Sequence, residues 1–266
     1  MKLLCPICGR TLLRQEKSCR CENNHSFDVA RQGYVNLLAV QQKHSLHPGD
    51  TREQVLARRA FLDTGAYGPL LESILQLLRD HHARGPVLDV GCGEGYYGSA
   101  VARELGAELT GLDISKEAVR CAAGRYKDAL WLCGTAAHLP IGEEEAGLLM
   151  SMFALTLPQE FARVLAIGGL FLQVTAREDH LLGLKSVIYP KLTGKEKSTE
   201  ADLPGFQLLE QRDVEFDLSL EGSQVQNLLY MTPHVYRISA EGLARLQALE
   251  SLRDRACCRL RLYKRI

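Results

Sequence analysis

The stretch Val87-Leu88-Asp89-Val90-Gly91-Cys92-Gly93-Glu94-Gly95-Tyr96-Tyr97 constrains the fold more than any other part of this 266-residue chain. Val87, Leu88 and Val90 make the short apolar run of a strand covered on both faces. Three alternate glycines follow, and glycine lets a backbone turn through positive φ and approach a ligand closely. The residues after them open a helix, whose first N–H groups lack partners within the helix and suit a polar or anionic ligand. A strand, a glycine turn and a helix start, in that order, predict an α/β sheet with a nucleotide-type site on its rim.

In the register starting at Gly91, Tyr96 stands where a G-x-G-x-x-G dinucleotide fingerprint has its third glycine. No Gly-Lys-Ser or Gly-Lys-Thr of a P-loop is present. Asp89 lies inside the strand, and a second strand, Glu108–Leu112, ends in Asp113. An acid in that place can accept hydrogen bonds from ribose hydroxyls. The D-x-G-x-G-x-G run with its downstream acid resembles the cofactor site of class I S-adenosylmethionine-dependent methyltransferases. That resemblance implies cofactor contacts at Asp89, Gly91, Gly93 and Asp113.

The pattern downstream alternates. Helices are expected over Tyr97–Leu105, from Ser115 to about Tyr126, and over Pro158–Leu165, with strands at Leu130–Cys133, Gly147–Phe153 and Leu170–Thr175. Such alternation predicts a parallel, doubly wound sheet with its site at the carboxyl ends of the strands. The fold class expected is α/β, a class I Rossmann-like sheet with a small N-terminal zinc-binding module. Phe206–Leu220 and Ala256–Tyr263 fit a terminal antiparallel pair, with Ala256–Tyr263 patterned as an outer strand. Helices over Asp179–Lys185, Ser223–Tyr230 and Ala240–Leu249, and a mobile loop over Lys191–Glu200, complete the reading. Upstream, the polar stretch Asn36–Asp50 is expected to be a connector with solvated His44 and His47. Thr51 or Asp50 caps a helix to about Leu62, and a second helix covers Pro69–His82. The expected division is residues 1–36, 37–82 and 83–266.

Nine cysteines with no apolar signal core predict a cytoplasmic chain whose thiols bind metal or pack as apolar groups. No run of about 18 apolar residues exists, so no membrane partner is expected. The cysteines at the N-terminus are patterned: Cys5-x2-Cys8-x12-Cys21-x3-His25 matches spacings that close a tetrahedral zinc site. Cys19 is a rival third ligand. Four ligands leave no open position, which makes such a zinc structural. Residues 1–62 carry a net charge of +5 against −5 for the remainder, a hint of an anionic partner.

The two halves together resemble the RlmA family of 23S rRNA (guanine-N1)-methyltransferases. The residues that carry the resemblance are the Cys5/Cys8/Cys21/His25 set, Phe27-Asp28, Gly33-Tyr34-Val35-Asn36-Leu37 and Pro48-Gly49-Asp50. They continue through Ala57-Arg58-Arg59-Ala60-Phe61-Leu62, Asp89–Tyr97 and Met231-Thr232-Pro233. The resemblance implies zinc on Cys5, Cys8, Cys21 and His25, and S-adenosylmethionine against Tyr67, Gly93, Glu94 and His180. It implies 23S rRNA as partner, methylated at guanine N1. A homodimer would help a small module grip an RNA hairpin. Guanine N1 must lose a proton to become a good nucleophile, and Asp179 and His180 are the candidate bases. Arg10, Arg14 and Arg20 of the module, with Arg58 and Arg59, are expected to grip the RNA backbone. Two alternatives use the same glycine stretch: a methyltransferase acting on a small molecule, and a non-catalytic relative that binds S-adenosylmethionine or RNA.

Overall fold

The computed structural model describes residues 1–39, 48–191 and 202–266. His44, His47 and all of the Lys191–Glu200 run except Lys191 lie outside them. At the N-terminus β1 (Leu13–Arg14), β2 (Ser18–Arg20) and β3 (Ser26–Asp28) form a small antiparallel sheet. The chain then crosses to β4 (Val35–Asn36). Two helices follow, α1 (Arg52–Leu62) and α2 (Gly68–Asp80). Thr51 caps α1 in a capping box: its hydroxyl accepts from Gln54 N–H while the Gln54 side chain accepts from Thr51 N–H. In α2, Leu70, Ile74, Leu77 and Leu78 face the core, and burying each such side chain contributes about 1.5–3 kcal/mol.

The alternating core is β5 (Val87–Val90), α3 (Tyr96–Leu105), β6 (Leu109–Asp113), α4 (Lys116–Arg125), β7 (Leu130–Cys133), β8 (Ala146–Met152), α5 (Pro158–Val164) and β9 (Leu165–Ala176). It ends in α6 (Leu182–Ile188), β10 (Phe206–Glu221), α7 (Ser223–Tyr230), α8 (Ala240–Gln247) and β11 (Ser251–Arg265). The large sheet has the order β10-β11-β9-β8-β5-β6-β7-β4. Its six strands from β9 to β4 are mutually parallel, and β10 and β11 add the antiparallel pair. The glycine stretch thus opens from the middle of the sheet, where the strand order reverses around β5. In an open α/β sheet that crevice is where ligands bind.

Successive residues of a strand face opposite sides, and β8 shows it. Leu148, Met150 and Met152 pack with Phe61, Tyr67 and Trp131 on one face, and Leu149 packs with Phe161, Phe171 and Tyr263 on the other. The second face also holds Leu3, Leu12 and Cys19 of the N-terminal sheet. Backbone bonds fix that attachment: Leu4 N–H donates to Pro140 O at 2.9 Å and Gly142 N–H to Lys2 O at 2.9 Å.

Three elements differ from the sequence expectation. β9 begins at Leu165 and runs through Gly168-Gly169, because the register shift between Ala146 and Leu148 absorbs the extra residues as a bulge. β11 is an inner strand; the outer one is β10, whose alternation of exposed and half-buried residues is the edge pattern. The helix expected over Asp179–Lys185 starts at Leu182, leaving Arg177–Leu181 as an irregular segment at the carboxyl end of β9.

Candidate active site and metal centre

The N-terminal ligand set converges. The side chains of Cys5, Cys8, Cys21 and His25 each offer one atom, and the four atoms lie within 4.8 Å of one another. Cys8 Sγ is 3.7 Å from Cys21 Sγ, and His25 Nδ1 is 3.5 Å from both Cys5 Sγ and Cys21 Sγ. With Zn–S bonds of about 2.3 Å, the edge of a tetrahedron is about 3.8 Å, so the donor set fits zinc. Two turns hold it: Gly9 N–H donates to Cys5 O, and Asn24 N–H to Cys21 O. The N–H of Arg10, aimed at the Cys8 sulfur, leads the effects that lower that thiol to about 6, towards the thiolate a metal requires. Cys19, the rival, is fully buried in the core on β2 and stands outside the cluster.

On the rim of the large sheet, Gly91, Gly93 and Gly95 all take positive φ. Gly95 has a second reason to be glycine, since a Cβ there would lie 2.5 Å from Cη2 of the buried Trp131 ring. At Gly91 a Cβ would meet the Cβ of Ala154 at 2.7 Å, so the loop after β8 lies directly against the glycine turn. Asp113 lies half-buried under the turn; its carboxylate accepts from Gly93 N–H at 2.9 Å and Ser115 N–H at 2.8 Å. Asp89 and Glu94 are buried, and Asp89 Oδ1 and Glu94 Oε2 have no partner. Burial, with Asp113 and Glu94 close by, pushes the Asp89 carboxyl up to about 7. Buried carboxylate oxygens without donors fit a ligand that brings its own hydrogen-bond donors.

Gly98, at the start of α3, joins the site without having been singled out by the sequence. A Cβ there would run into the Asp89 carboxylate. Counting from Gly93 instead of Gly91 gives G-x-G-x-x-G with Gly98 third, and that register is the signal that finds it. Arg58 departs from its expected role. It does not project as a backbone-gripping cation: its Nη2 pairs with Asp50 at 2.5 Å, and its charge faces Glu94 and Asp113 beside the glycine turn. Arg59 pairs with Asp63.

The opposite side of the rim is built from β9, β11 and α2. Tyr67 is buried edge-on against Phe61 and Phe216, and its hydroxyl is 3.4 Å from His180 Nε2. His180 Nδ1 sits 3.0 Å from the Cys257 backbone N–H. Burial lowers the imidazole to about 4, so it is neutral at pH 7. Asp179 is held through Oδ2 by Arg177 at 2.9 Å, while its Oδ1 is buried without a partner. The Phe153 ring lies 6.2 Å from that of His180. Tyr67, His180, Phe153 and the glycine turn therefore frame one crevice.

Comparison with known proteins matches both halves. Residues 3–46 match the zinc-ribbon family model described as RlmA, N-terminal, and residues 87–169 match a methyltransferase domain model. The chain is 35 % identical over 254 residues to the 23S rRNA (guanine(748)-N(1))-methyltransferase of Streptomyces fradiae, covering 91 % of this chain and 89 % of that one. It is 34 % identical to a protein of Micromonospora griseorubida described as a candidate 23S rRNA (guanine-N1)-methyltransferase, with 68 % of each chain covered. A solved structure, reported for conversion of a disulfide bond into a thioacetal group during echinomycin biosynthesis, superposes with a TM-score of 0.51 at 15 % identity. The superposition covers 72 % of this chain and 81 % of that one, and it speaks for the fold alone.

Proposed function

The chain belongs to the family of 23S rRNA (guanine-N1)-methyltransferases, and from that premise we propose that it methylates N1 of a guanine in a 23S rRNA hairpin loop. The observation that carries the proposal is the union of a zinc ribbon and a glycine rim in one chain, matched together along nearly its full length. When bound, S-adenosylmethionine supplies an electrophilic methyl group on a sulfonium. Everything else falls to positioning and exclusion of water.

In this proposal Gly91 and Gly93 allow close approach of the turn, and Asp113 at the end of β6 takes the ribose hydroxyls. Asp89 and Glu94 offer their free oxygens to the ammonium of the cofactor, and Tyr67 with His180 walls the far side. Of the two candidate bases, Asp179 suits the N1 proton better. Its buried Oδ1 has no hydrogen-bond partner, whereas both nitrogens of His180 are engaged, Nδ1 by the Cys257 N–H and Nε2 by the Tyr67 hydroxyl. Arg10, Arg14 and Arg20 on the ribbon supply the RNA-backbone contacts, which should weaken steeply with salt. A homodimer, setting two ribbons around one hairpin, and a cytoplasmic location belong to the same proposal. No helix among the described residues is long and apolar enough to cross a membrane.

Calorimetric titration with S-adenosylmethionine tests the cofactor half. A carboxyl held near 7 by burial ionises more readily once an ammonium sits beside it, so binding expels its proton. Affinity must then rise with pH until the free carboxyl is ionised, and fall as pH drops below about 7. Between about pH 8 and pH 6 we expect a loss of about tenfold, and Asp89→Asn should flatten the dependence. A pH-independent affinity, or an unchanged slope in Asp89→Asn, would remove Asp89 from the ammonium site.

A further inference from the structure

The inner face of α1 carries an arginine. Gln54, Val55, Phe61 and Leu62 are buried there, and Arg58 stands three or four positions from each, on the same side of the helix. Its side chain is 25 % exposed, against 42 % for Arg59 beside it. Drawing a cation inward costs free energy unless charge and hydrogen bonds match it.

The match is specific. Arg58 Nη2 pairs with Asp50 at 2.5 Å. Nη1 lies alongside the glycine turn, where a Cβ at Gly93 would stand 3.4 Å from it. The negative charges around the guanidinium are Asp50, Glu94 and Asp113. Glu94 is buried with Oε2 unpartnered. A second cation, Arg125, acts on Glu94 less strongly and is committed to Asp63 at 2.7 Å.

These contacts close into a ring. Asp113 accepts from Gly93 N–H and from Ser115 N–H. The Ser115 hydroxyl donates to Asp50 O at 2.7 Å, Asp50 holds Arg58, and Arg58 returns to Gly93. Gly49 lets the chain before Asp50 come that close: at φ +79° its Cβ would stand 2.8 Å from both the N and the Cβ of Ser115. A side chain of α1 is thus fixed beside a carboxylate of β6 through the start of α4. Asp89, Glu94 and Asp113 crowd one turn, where like charges repel, and Arg58 is the cation set among them.

We propose that Arg58 is a positioning residue of the cofactor site: its guanidinium is the counter-ion that holds Glu94 and Asp113 ready for the ammonium and the ribose hydroxyls of S-adenosylmethionine. This rests on the roles proposed above for those two acids. Burial pushes both carboxyls up, and the Arg58 charge pulls both back. A protonated acid offers an ammonium no charge, so the counter-ion prepares the site before the cofactor arrives.

The test uses full-length, zinc-loaded Arg58→Met, Arg58→Lys, Asp50→Asn and Asp113→Asn, titrated with S-adenosylmethionine in a calorimeter well below their melting temperatures, with 23S rRNA affinity measured alongside. Arg58→Met keeps the aliphatic stem and loses the charge, and cofactor affinity at pH 7 should fall about 30-fold. Its acids then take up protons that the cofactor must expel, so its affinity should climb more steeply between about pH 6 and pH 8 than the parent's. Arg58→Lys keeps the charge and should stay within about fivefold, with the parent's slope. Asp50→Asn breaks the same ion pair but leaves the cation, and should also stay within about fivefold. RNA affinity should be unchanged in Arg58→Met. Parent-like affinity and slope in Arg58→Met overturn the proposal, as does an equal loss in Arg58→Met and Asp50→Asn, which would make the pair a brace and nothing more. So does a loss of RNA affinity with cofactor affinity kept, which would return Arg58 to the RNA backbone. Asp113→Asn that binds cofactor like the parent overturns the underlying assignment of that acid instead, and this proposal with it.

Discussion

Cys21→Ser is expected to abolish zinc binding and unfold the ribbon while the large sheet stays folded. The three short strands β1, β2 and β3 span two or three residues each and have little core of their own. Zinc bound to such small modules provides about 10–16 kcal/mol of apparent free energy, so the metal decides whether they fold. Removing one of four converging donors should therefore take zinc stoichiometry from one per chain to near zero. Backbone amides between Cys5 and Phe27 should lose protection from hydrogen exchange. The large sheet loses the covering supplied by Leu3 and Leu12 and should melt a few degrees lower. Cys19→Ser separates the two sequence alternatives. Cys19 is buried on β2 outside the cluster, so its change should cost about 1–2 kcal/mol in packing and leave zinc stoichiometry at one. Zinc lost from Cys19→Ser and kept by Cys21→Ser would reverse the ligand assignment.

The second large effect is expected at Gly95→Ala. The substitution places a methyl 2.5 Å from the Trp131 ring at φ +85°. The ring has nowhere to go: it is buried, its Nε1–H donates to Tyr126 O at 2.8 Å, and Gly111 backs its other edge. A left-handed alanine costs about 1–2 kcal/mol and overpacking about 1–3 kcal/mol, giving about 2–5 kcal/mol of lost stability. Because the same turn is proposed to carry the cofactor, S-adenosylmethionine affinity should fall by roughly 100-fold or more. Gly124→Ala in α4 is the control of opposite sign. Nothing lies within 4 Å of its Cβ position and its φ is ordinary, so helix propensity alone should raise stability by up to about 1 kcal/mol. Urea unfolding and calorimetry read both variants. A Gly95→Ala protein as stable as the parent would mean that the Trp131 ring yields.

Local patterns are legible in the sequence, and long-range ones are not. The strand Val87–Val90, the Ser115 cap of α4 and the helix Ser223–Tyr230 stand where periodicity and capping put them, because those signals are written within a few residues. The four converging ligands are readable for the same reason: two short turns each set a pair. Sheet order escapes that kind of reading. Whether Ala256–Tyr263 is inner or outer depends on which strand pairs on its far side, and alternation of basic and apolar residues does not encode that. Arg58 is instructive in the same way. As a helix residue in a basic stretch it reads as a solvated cation, and only the fold brings Asp50, Glu94 and Asp113 around it. Tyr67 and His180 read as a core aromatic and a surface residue until 113 positions of chain close up and set them 3.4 Å apart.

The most direct test is methyl transfer to unmodified 23S rRNA with S-adenosylmethionine, read by primer extension. A guanine methylated at N1 cannot pair, so extension is expected to stop at a single guanine in a hairpin loop, only when the cofactor is present, and more weakly as salt rises. No stop with full-length zinc-loaded protein, alongside methylation of a small molecule or cofactor binding without transfer, would contradict the assignment.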